Sequence, residues 1–502
     1  MNTAYSSECF YNKFMKYFGA IDQGTTSSRF IVFNNQGEIA HQYQEEFTQY
    51  LPNEVSVEHD PIEIWESVVS CISKVDNKFD ISQLDSIGIT NQRETTLAWN
   101  RKTGDPFHNA LVWQDTRTQD ICDEIKNIKN IKNDLEKTGL PVATYFSLSK
   151  ILWLIRNVDS IQKELENNNV CFGTVDSWLL YKLTGEHITD VTNASRTLMM
   201  DLEALNWSKN ITSELNIPLS SLPTIKPSLS NFGTNTEILK DIPISAVLGD
   251  QQAALFGQNC LNEGEVKNTY GTGCFALTNT GSEIVKSSNG LLSTVAYQVE
   301  GEDAQYALEG SVAIAGAAVQ WLRDNLNIIS DSSEVEALAS EVEDNGDVYF
   351  VPAFSGLFSP HWDETARGVL VGLSRYSNKF HISRAVLESV AYQSYELLEA
   401  MEKDTNLKFS KVSVDGGMIA NNLLMQFQAD IFNKEVVSQK INEITALGAA
   451  AASYIYANNL PLKTMESFVS SSSTWSPNIE SKLREKYIQK WSKAISKAKE
   501  WI

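Results

Sequence analysis

Short apolar runs bounded by polar or glycine-containing turns alternate along this chain with longer stretches whose apolar residues recur every third or fourth position. The first pattern predicts strands at 17–22, 29–34, 86–90, 96–100, 170–175, 266–270, 274–278, 305–309, 348–352 and 411–415. The second predicts helices at 61–75, 117–127, 147–157, 315–326, 383–402, 421–433, 445–457 and 480–500. Strands and helices mixed throughout imply an α/β architecture. The Ser-rich stretch 470–473, with Pro477 after it, reads as a loop before the last helix. A chain of 502 residues is too long for one core, so two large domains are expected. The best boundary lies near Leu255–Asn259, where the small-residue run Ala253–Gly257 gives way to the turn-like Asn262-Glu263-Gly264.

Three breaks in the pattern carry chemistry. The apolar strand ending at Ile21 runs into Asp22-Gln23-Gly24-Thr25-Thr26-Ser27-Ser28-Arg29, and a second strand, Phe30–Phe33, follows at once. A hairpin whose turn holds Gly, Thr and Ser presents backbone N–H groups and hydroxyls on one concave face, a cradle for phosphate. Asp22 at the strand end can hold Mg²⁺, directly or through water, because this hard cation prefers carboxylate and keeps its waters. Val266–Leu277 repeats the design as strand, Gly271-Thr272-Gly273 turn, strand; two such hairpins would grip a polyphosphate from both sides. Gly271-x-Gly273-x-x-Ala276 is only a loose dinucleotide fingerprint, because a strand and not a helix follows it. The third break, Asp415-Gly416-Gly417 before a helix, lets a ligand approach bare backbone. Asn421 there is also a good helix cap, so an adenosine pocket and a plain helix start both remain open.

Composition narrows the classes. The net charge of −22 keeps the surface from nucleic acid and anionic membranes. The six Cys are scattered without metal-ligand or C-x-x-C spacing, which suits reduced thiols in a cytoplasmic setting, and the six His argue equally against zinc. No apolar run reaches the roughly 20 residues of a bilayer span, and the first 16 residues read neither as a secretory nor as a transit peptide. The last helix sets Lys482, Lys486, Lys490, Lys493 and Lys497 against apolar Leu483, Tyr487, Trp491, Ile495 and Ile502. Such a helix can lie on a membrane, but a packed terminal helix with a solvated face is the commoner use of the pattern.

The motifs taken together resemble the FGGY carbohydrate kinases. Those that carry the resemblance are Asp22–Arg29, Glu58-His59-Asp60-Pro61, Gly88–Thr95, Thr192–Thr197, Gly249–Ala254, Tyr270–Phe275 and Asp415-Gly416-Gly417. Tyr145-Phe146-Ser147-x-x-Lys150-x-x-Trp153 and Gly368-x-x-x-Gly372-Leu373 also fit, and the likeness runs from residue 17 to the end. The resemblance implies two ribonuclease-H-like domains with an ATP-binding cleft between them, the actin-like ATPase fold. It implies an extension of unknown role at 1–16, a domain at 17–257 for glycerol and phosphate, and a domain at 258–502 for nucleotide. The implied activity is Mg²⁺- and ATP-dependent phosphorylation of glycerol to sn-glycerol 3-phosphate, in a cytoplasmic homodimer or homotetramer with no nucleic-acid partner and no integral membrane segment. A kinase for a pentulose or another polyol, and an inactive nucleotide-binding sensor, are the rival readings.

Glycerol offers three hydroxyls, no charge and little apolar surface, so its site needs fixed hydrogen-bonding groups and something to hold the carbons. Arg93 and Glu94, after a strand end, supply donors and acceptors to adjacent hydroxyls. Tyr145 and Gln251 join them by the family pattern, and Trp113 and Phe275 would pack against the carbon chain. Asp250, at the end of the apolar run Ile244–Leu248 and next to Gly249, is the expected general base, taking the proton of the attacking hydroxyl. Arg29, Thr25, Thr26 and Ser27, with Mg²⁺ at Asp22, would neutralise the phosphates, and Thr272 would meet them from the second domain. The resemblance gives Gly316, Gln320, Gly417 and Asn421 to the nucleoside. Segment 231–243 lacks both the Gly-rich, Arg-ending loop of the sugar-bisphosphate-inhibited bacterial enzymes and the His of the phosphotransferase-activated ones, so neither regulation is expected.

Overall fold

The computed structural model describes residues 15–354 and 356–502, so all but the last two residues of the expected extension at 1–16 lie outside the described residues. The chain is α/β and forms two compact units. The first holds the described residues up to Asn259 together with Thr294–Tyr306 and Glu443–Val469; the second holds Cys260–Ser293, Ala307–Asn442 and Ser470–Ile502.

A six-stranded sheet centres the first unit. Its order is Leu229–Gly233, Ile244–Gly249, Leu84–Asn91, Tyr17–Gln23, Ser27–Asn34 and Ile39–Glu46. Leu84–Asn91 runs parallel to both Tyr17–Gln23 and Ile244–Gly249, while Tyr17–Gln23, Ser27–Asn34 and Ile39–Glu46 form an antiparallel meander. The parallel strands are covered on both faces, which is why they read as continuous apolar runs. Helix Pro61–Asp76 lies against the meander; it starts where Asp60 accepts the Ile62 N–H and Pro61 needs no donor of its own.

Helix Ile444–Ala457 packs on this sheet at backbone distance. A Cβ on Gly88 would sit 2.0 Å from the Ala449 carbonyl oxygen, and one on Gly448 1.9 Å from that of Ala253, on helix Asp250–Gly257. Glycine is therefore required at both crossings. Helix Ile444–Ala457 is rich in alanine and buried along nearly its whole length. Among the described residues no helix is long and apolar enough to cross a membrane.

The second unit is built on a sheet in which Cys274–Gly281, Val266–Tyr270, Lys411–Asp415, Glu435–Gln439 and Ser471–Trp475 follow one another. The last of these corrects the expected loop at 470–473. Ser473 pairs with Ser438 and Trp475 with Val436, because an edge ladder needs backbone groups and not apolar side chains. The strand expected at 170–175 stops at Thr174, and Val175–Thr184 is a helix the sequence pattern did not suggest. The terminal helix Ser481–Ala498 is packed: Trp491, Ala494, Ile495 and Ala498 are buried, and the Trp491 ring stacks on Tyr392 at 5.0 Å.

Candidate active site

Three parallel strands of the first unit end in register. Asp22 and Leu248 both lie opposite Thr90, and Gln23 and Gly249 opposite Asn91. The chain leaving these carboxyl ends carries Asp22, then Arg93 and Glu94, then Asp250, so one edge of the sheet collects groups far apart in sequence. Carboxyl ends of parallel strands are where open α/β sheets bind ligands.

The Gly24–Ser27 turn is held from below. The Gly24 N–H donates to the Ser27 carbonyl at 2.9 Å, and Gln92 Nε2 donates to the Gly24 carbonyl at 3.1 Å. Gln44 Nε2 donates to Ser27 Oγ at 3.0 Å, and the Trp113 indole N–H to Thr25 Oγ1 at 3.1 Å. Thr26 is exposed, whereas Ser28 turns inward to Ser67 Oγ. Arg29 Nη1 lies 2.9 Å from Glu443 Oε2 and 3.5 Å from Asp22 Oδ2. Burial pushes the Asp22 carboxyl up to about 6; Arg29 opposes that, and the negative charges of Glu443 and Asp250 reinforce it.

Arg93 is almost fully buried. Its Nε lies 3.1 Å from Asp250 Oδ1 and its Nη1 donates to Gln252 Oε1 at 3.2 Å. Asp250 Oδ1 also accepts the Gln251 N–H at 2.7 Å, which fixes the carboxylate at the first turn of helix Asp250–Gly257. Gly249 leaves room for the Arg93 stem: a Cβ there would lie 2.7 Å from Arg93 Cδ and 2.8 Å from Cγ.

Glu94 adopts a left-handed backbone, φ 60°, unusual for a non-glycine residue and a mark of local constraint. Its carbonyl accepts the hydroxyls of Thr96 at 2.9 Å and Ser147 at 3.1 Å, and its Oε1 accepts from Arg196 Nε at 2.6 Å. The Arg196 guanidinium lies over the rings of Tyr145 and Phe146 at 5.7 and 5.4 Å. Tyr145 in turn meets Trp113 edge to face, with centroids 5.6 Å apart. Buried Lys150 donates to the Thr144 and Tyr145 carbonyls; burial presses its ammonium down to about 8, against the pull of Asp115 and Glu94. Arg196 and Lys150 are thus positioning groups that sequence reasoning placed inside motifs but did not single out. The signal was there: each is a lone cation in an otherwise buried run.

The structure therefore brings Asp22, Thr25, Ser27, Arg29, Arg93, Glu94, Trp113, Tyr145, Asp250 and Gln251 into the first unit, linked by the contacts above. Phe275 belongs to the other unit. That residue lies on strand Cys274–Gly281, half-buried, opposite Thr269.

In the second unit Thr272, Gly316, Gln320, Gly417 and Asn421 all line one pocket of about 390 Å³. Ala315 and Gly316 donate their N–H groups to the carbonyls of Thr272 and Gly271, so the turn is tied to the start of helix Gly316–Asp324. Gly416 has φ +95°, with a would-be Cβ 2.2 Å from the Tyr270 carbonyl oxygen, and Gly417 faces open space. Asn421 caps helix Asn422–Phe432 through the Leu424 N–H and also lines the pocket. Val319, Val335, Leu387 and Met418 give the walls and Gln320, Ser332 and Ser333 a polar rim, a size and chemistry that can take a purine nucleoside. Among the described residues no three His, Cys, Asp or Glu side chains form a cage for a metal. A divalent cation at Asp22 would complete its shell with phosphate oxygens and water, as Mg²⁺ commonly does.

The comparisons agree on one family. The FGGY family of carbohydrate kinases matches with its N-terminal domain at residues 17–257 and its C-terminal domain at 266–456. A glycerol kinase of Clavibacter michiganensis subsp. michiganensis is 49% identical over 497 residues, 97% of this chain and 98% of its own. One from Chloroflexus aggregans is 50% identical over 498 residues, 97% of this chain and 99% of its own. Among solved structures, Plasmodium falciparum glycerol kinase with ADP superposes with a TM-score of 0.91 at 37% identity, covering 96% of this chain and 98% of that one. A gluconate kinase from Lactobacillus acidophilus, 22% identical over 96% and 97% of the two chains, shares the fold at a TM-score of 0.84.

Proposed function

Because the chain belongs to the FGGY family of carbohydrate kinases, we propose that it transfers the γ-phosphoryl group of ATP to a terminal hydroxyl of glycerol, giving sn-glycerol 3-phosphate. The observation that carries this reading is the set at the strand ends, in which buried Arg93 holds the partly exposed Asp250 and buried Arg196 holds Glu94 while lying over Tyr145, itself edge to face with Trp113. Such a set pairs donors and acceptors with two aromatic rings, the needs of a small triol. The near-full-length likeness to proteins named glycerol kinase supports the same substrate.

In this reading Arg93, Glu94, Tyr145 and Gln251 hold the hydroxyls, while Trp113 and Phe275 bound the carbons. Asp250 takes the proton as the hydroxyl oxygen attacks phosphorus. Thr25, Thr26, Ser27, Arg29 and Thr272 cradle the phosphates. Gly316, Gln320, Gly417 and Asn421 hold the nucleoside. Asp22 would hold Mg²⁺, which would supply charge neutralisation during phosphoryl transfer. In this reading residues 17–257 carry the glycerol and phosphate groups and 258–502 the nucleotide groups, although Thr294–Tyr306 and Glu443–Val469 of the latter fold into the first unit. The expected setting is the cytoplasm, and the expected assembly a homodimer or homotetramer.

The test is ADP release across a panel of polyols and pentuloses. Glycerol is expected to give the highest kcat/KM, with xylulose, ribulose and gluconate at most weakly turned over. A pentulose that surpasses glycerol would overturn the substrate, and failure of every polyol to release ADP would favour an inactive nucleotide sensor.

A further inference from the structure

A second cavity of the second unit, about 530 Å³, shares no residue with the nucleoside pocket. Helix Lys379–Thr405 supplies one wall through Tyr395, Leu398, Glu399, Glu402 and Lys403. Phe432 and Lys434 come from the end of helix Asn422–Phe432 and the residues after it, and Arg484 from the terminal helix.

The charge of this cavity runs against that of the chain. The protein carries −22 overall, yet Lys403, Lys408, Lys434 and Arg484 line the cavity against only two carboxylates. Those carboxylates are engaged in arranging the cations. Glu402 lies 2.8 Å from Lys434 Nζ and 3.1 Å from Lys408 Nζ, and also accepts the Phe409 N–H at 3.0 Å. Glu399 lies 3.1 Å from Lys403 Nζ and accepts the Tyr395 hydroxyl at 3.0 Å. Arg484 spends its Nε on the Ile431 carbonyl at 2.7 Å and lays its guanidinium over the Tyr395 ring at 5.3 Å. That leaves a planar fork held in place, the geometry that recognises phosphate oxygens in pairs. Asn406 adds an amide able to meet hydroxyls, and the second lone pairs of the Glu399 oxygens can accept from them.

We propose that this cavity is a binding site for a phosphate monoester of a small polyhydroxy compound, separate from the site of phosphoryl transfer. The cations meet the phosphate, and the carboxylate and amide meet the hydroxyls. The volume suits a sugar phosphate and exceeds what a bare anion would fill.

Calorimetry of the full chain in a phosphate-free buffer, with glucose 6-phosphate, inorganic phosphate and glucose as probes, tests this. Glucose 6-phosphate should bind saturably and more tightly than inorganic phosphate, and glucose should not bind. Lys434→Met and Arg484→Met should each weaken that binding about tenfold, the loss expected for one charge-assisted contact. The double variant Lys403→Gln/Lys408→Gln changes only exposed side chains and keeps the test valid should the partly buried variants fail to fold; it should weaken binding about fivefold. Thr25→Ala, in the first unit, should leave it unchanged. Absence of binding, equal binding of inorganic phosphate, insensitivity to all the cavity variants, or loss in Thr25→Ala would each overturn the proposal.

Discussion

Gly249→Ala puts the candidate site to its hardest test, because the change is one methyl group on a residue that touches no substrate. The backbone there, φ −56° and ψ 151°, is open to alanine, so no strain comes from the main chain. The new Cβ would sit 2.7 Å from Arg93 Cδ and 2.8 Å from Cγ, where ordinary carbon contacts are about 3.5–4.0 Å. The Arg93 stem must retreat by about 1 Å. It is almost fully buried and tied at its far end to Asp250 and Gln252, so the retreat is taken from those two contacts. Loosening a charged buried hydrogen bond costs about 1.5–3 kcal/mol, which is about 10–10² in kcat/KM. Stability should fall by about 1–3 kcal/mol from overpacking. Steady-state kinetics with glycerol, a thermal melt and an ADP titration check the three parts. The ADP affinity, which the proposed function assigns to groups other than Gly249 and Arg93, should not move. A folded variant with unchanged kcat/KM would refute the claim that Arg93 must be held against Asp250 for turnover.

Other substitutions separate the roles. Asp250→Asn should lower kcat by about 10²–10⁴ while calorimetric binding of glycerol and nucleotide changes little; near-normal turnover would remove Asp250 as base. Asp22→Asn should lower the rate, weaken the Mg²⁺ dependence expected of it, and also reveal a stability cost. The Asp22 carboxyl sits at about 6 when folded against 3.8 ordinarily, so the folded state keeps its proton longer and loses that stabilisation as pH rises from about 4 through 6. Melting curves should show the Asn variant more stable than the parent at pH 7, by up to about 3 kcal/mol, with no gain at pH 4. Asn421→Ala should cost about 1 kcal/mol of stability as a lost helix cap and weaken ADP binding, read by melting and calorimetry; intact ADP affinity would leave Asn421 a cap alone.

The sequence made some of this visible for a local reason. The hairpin of Tyr17–Gln23 and Ser27–Asn34 announces itself because apolar runs end in a turn of Gly, Thr and Ser, and helix Ser147–Asn157 keeps a one-sided pattern. Helix Val175–Thr184 was hidden because Trp178, Leu179, Leu180 and Leu183 are all buried and leave no polar face to set a period. Strand Ser471–Trp475 was hidden because four of its five residues are exposed. At the site, Arg93, Glu94 and Asp250 were legible as charges beside strand ends. Their partners were not. Arg196 reaches Glu94 across 102 positions, and the need for glycine at 249 lies in the stem of Arg93; neither is written in local spacing.

The return of Glu443–Val469 to the first unit bears on how the protein is made. Helix Ile444–Ala457 fills the gap above Gly88 and against helix Asp250–Gly257, and Glu443 supplies the nearer of the two carboxylates at Arg29. A ribosome that has released residue 259 has therefore delivered most of the first unit but not the piece that seals its sheet. At about 5–20 residues per second, roughly 10–40 s of further translation must pass before that piece emerges. Over that interval the sheet face around Gly88 lacks the helix that covers it in the finished fold. A gene cut after residue 259 would yield that exposed state permanently, so the phosphate turn cannot be studied as an isolated N-terminal fragment without the helix supplied in trans.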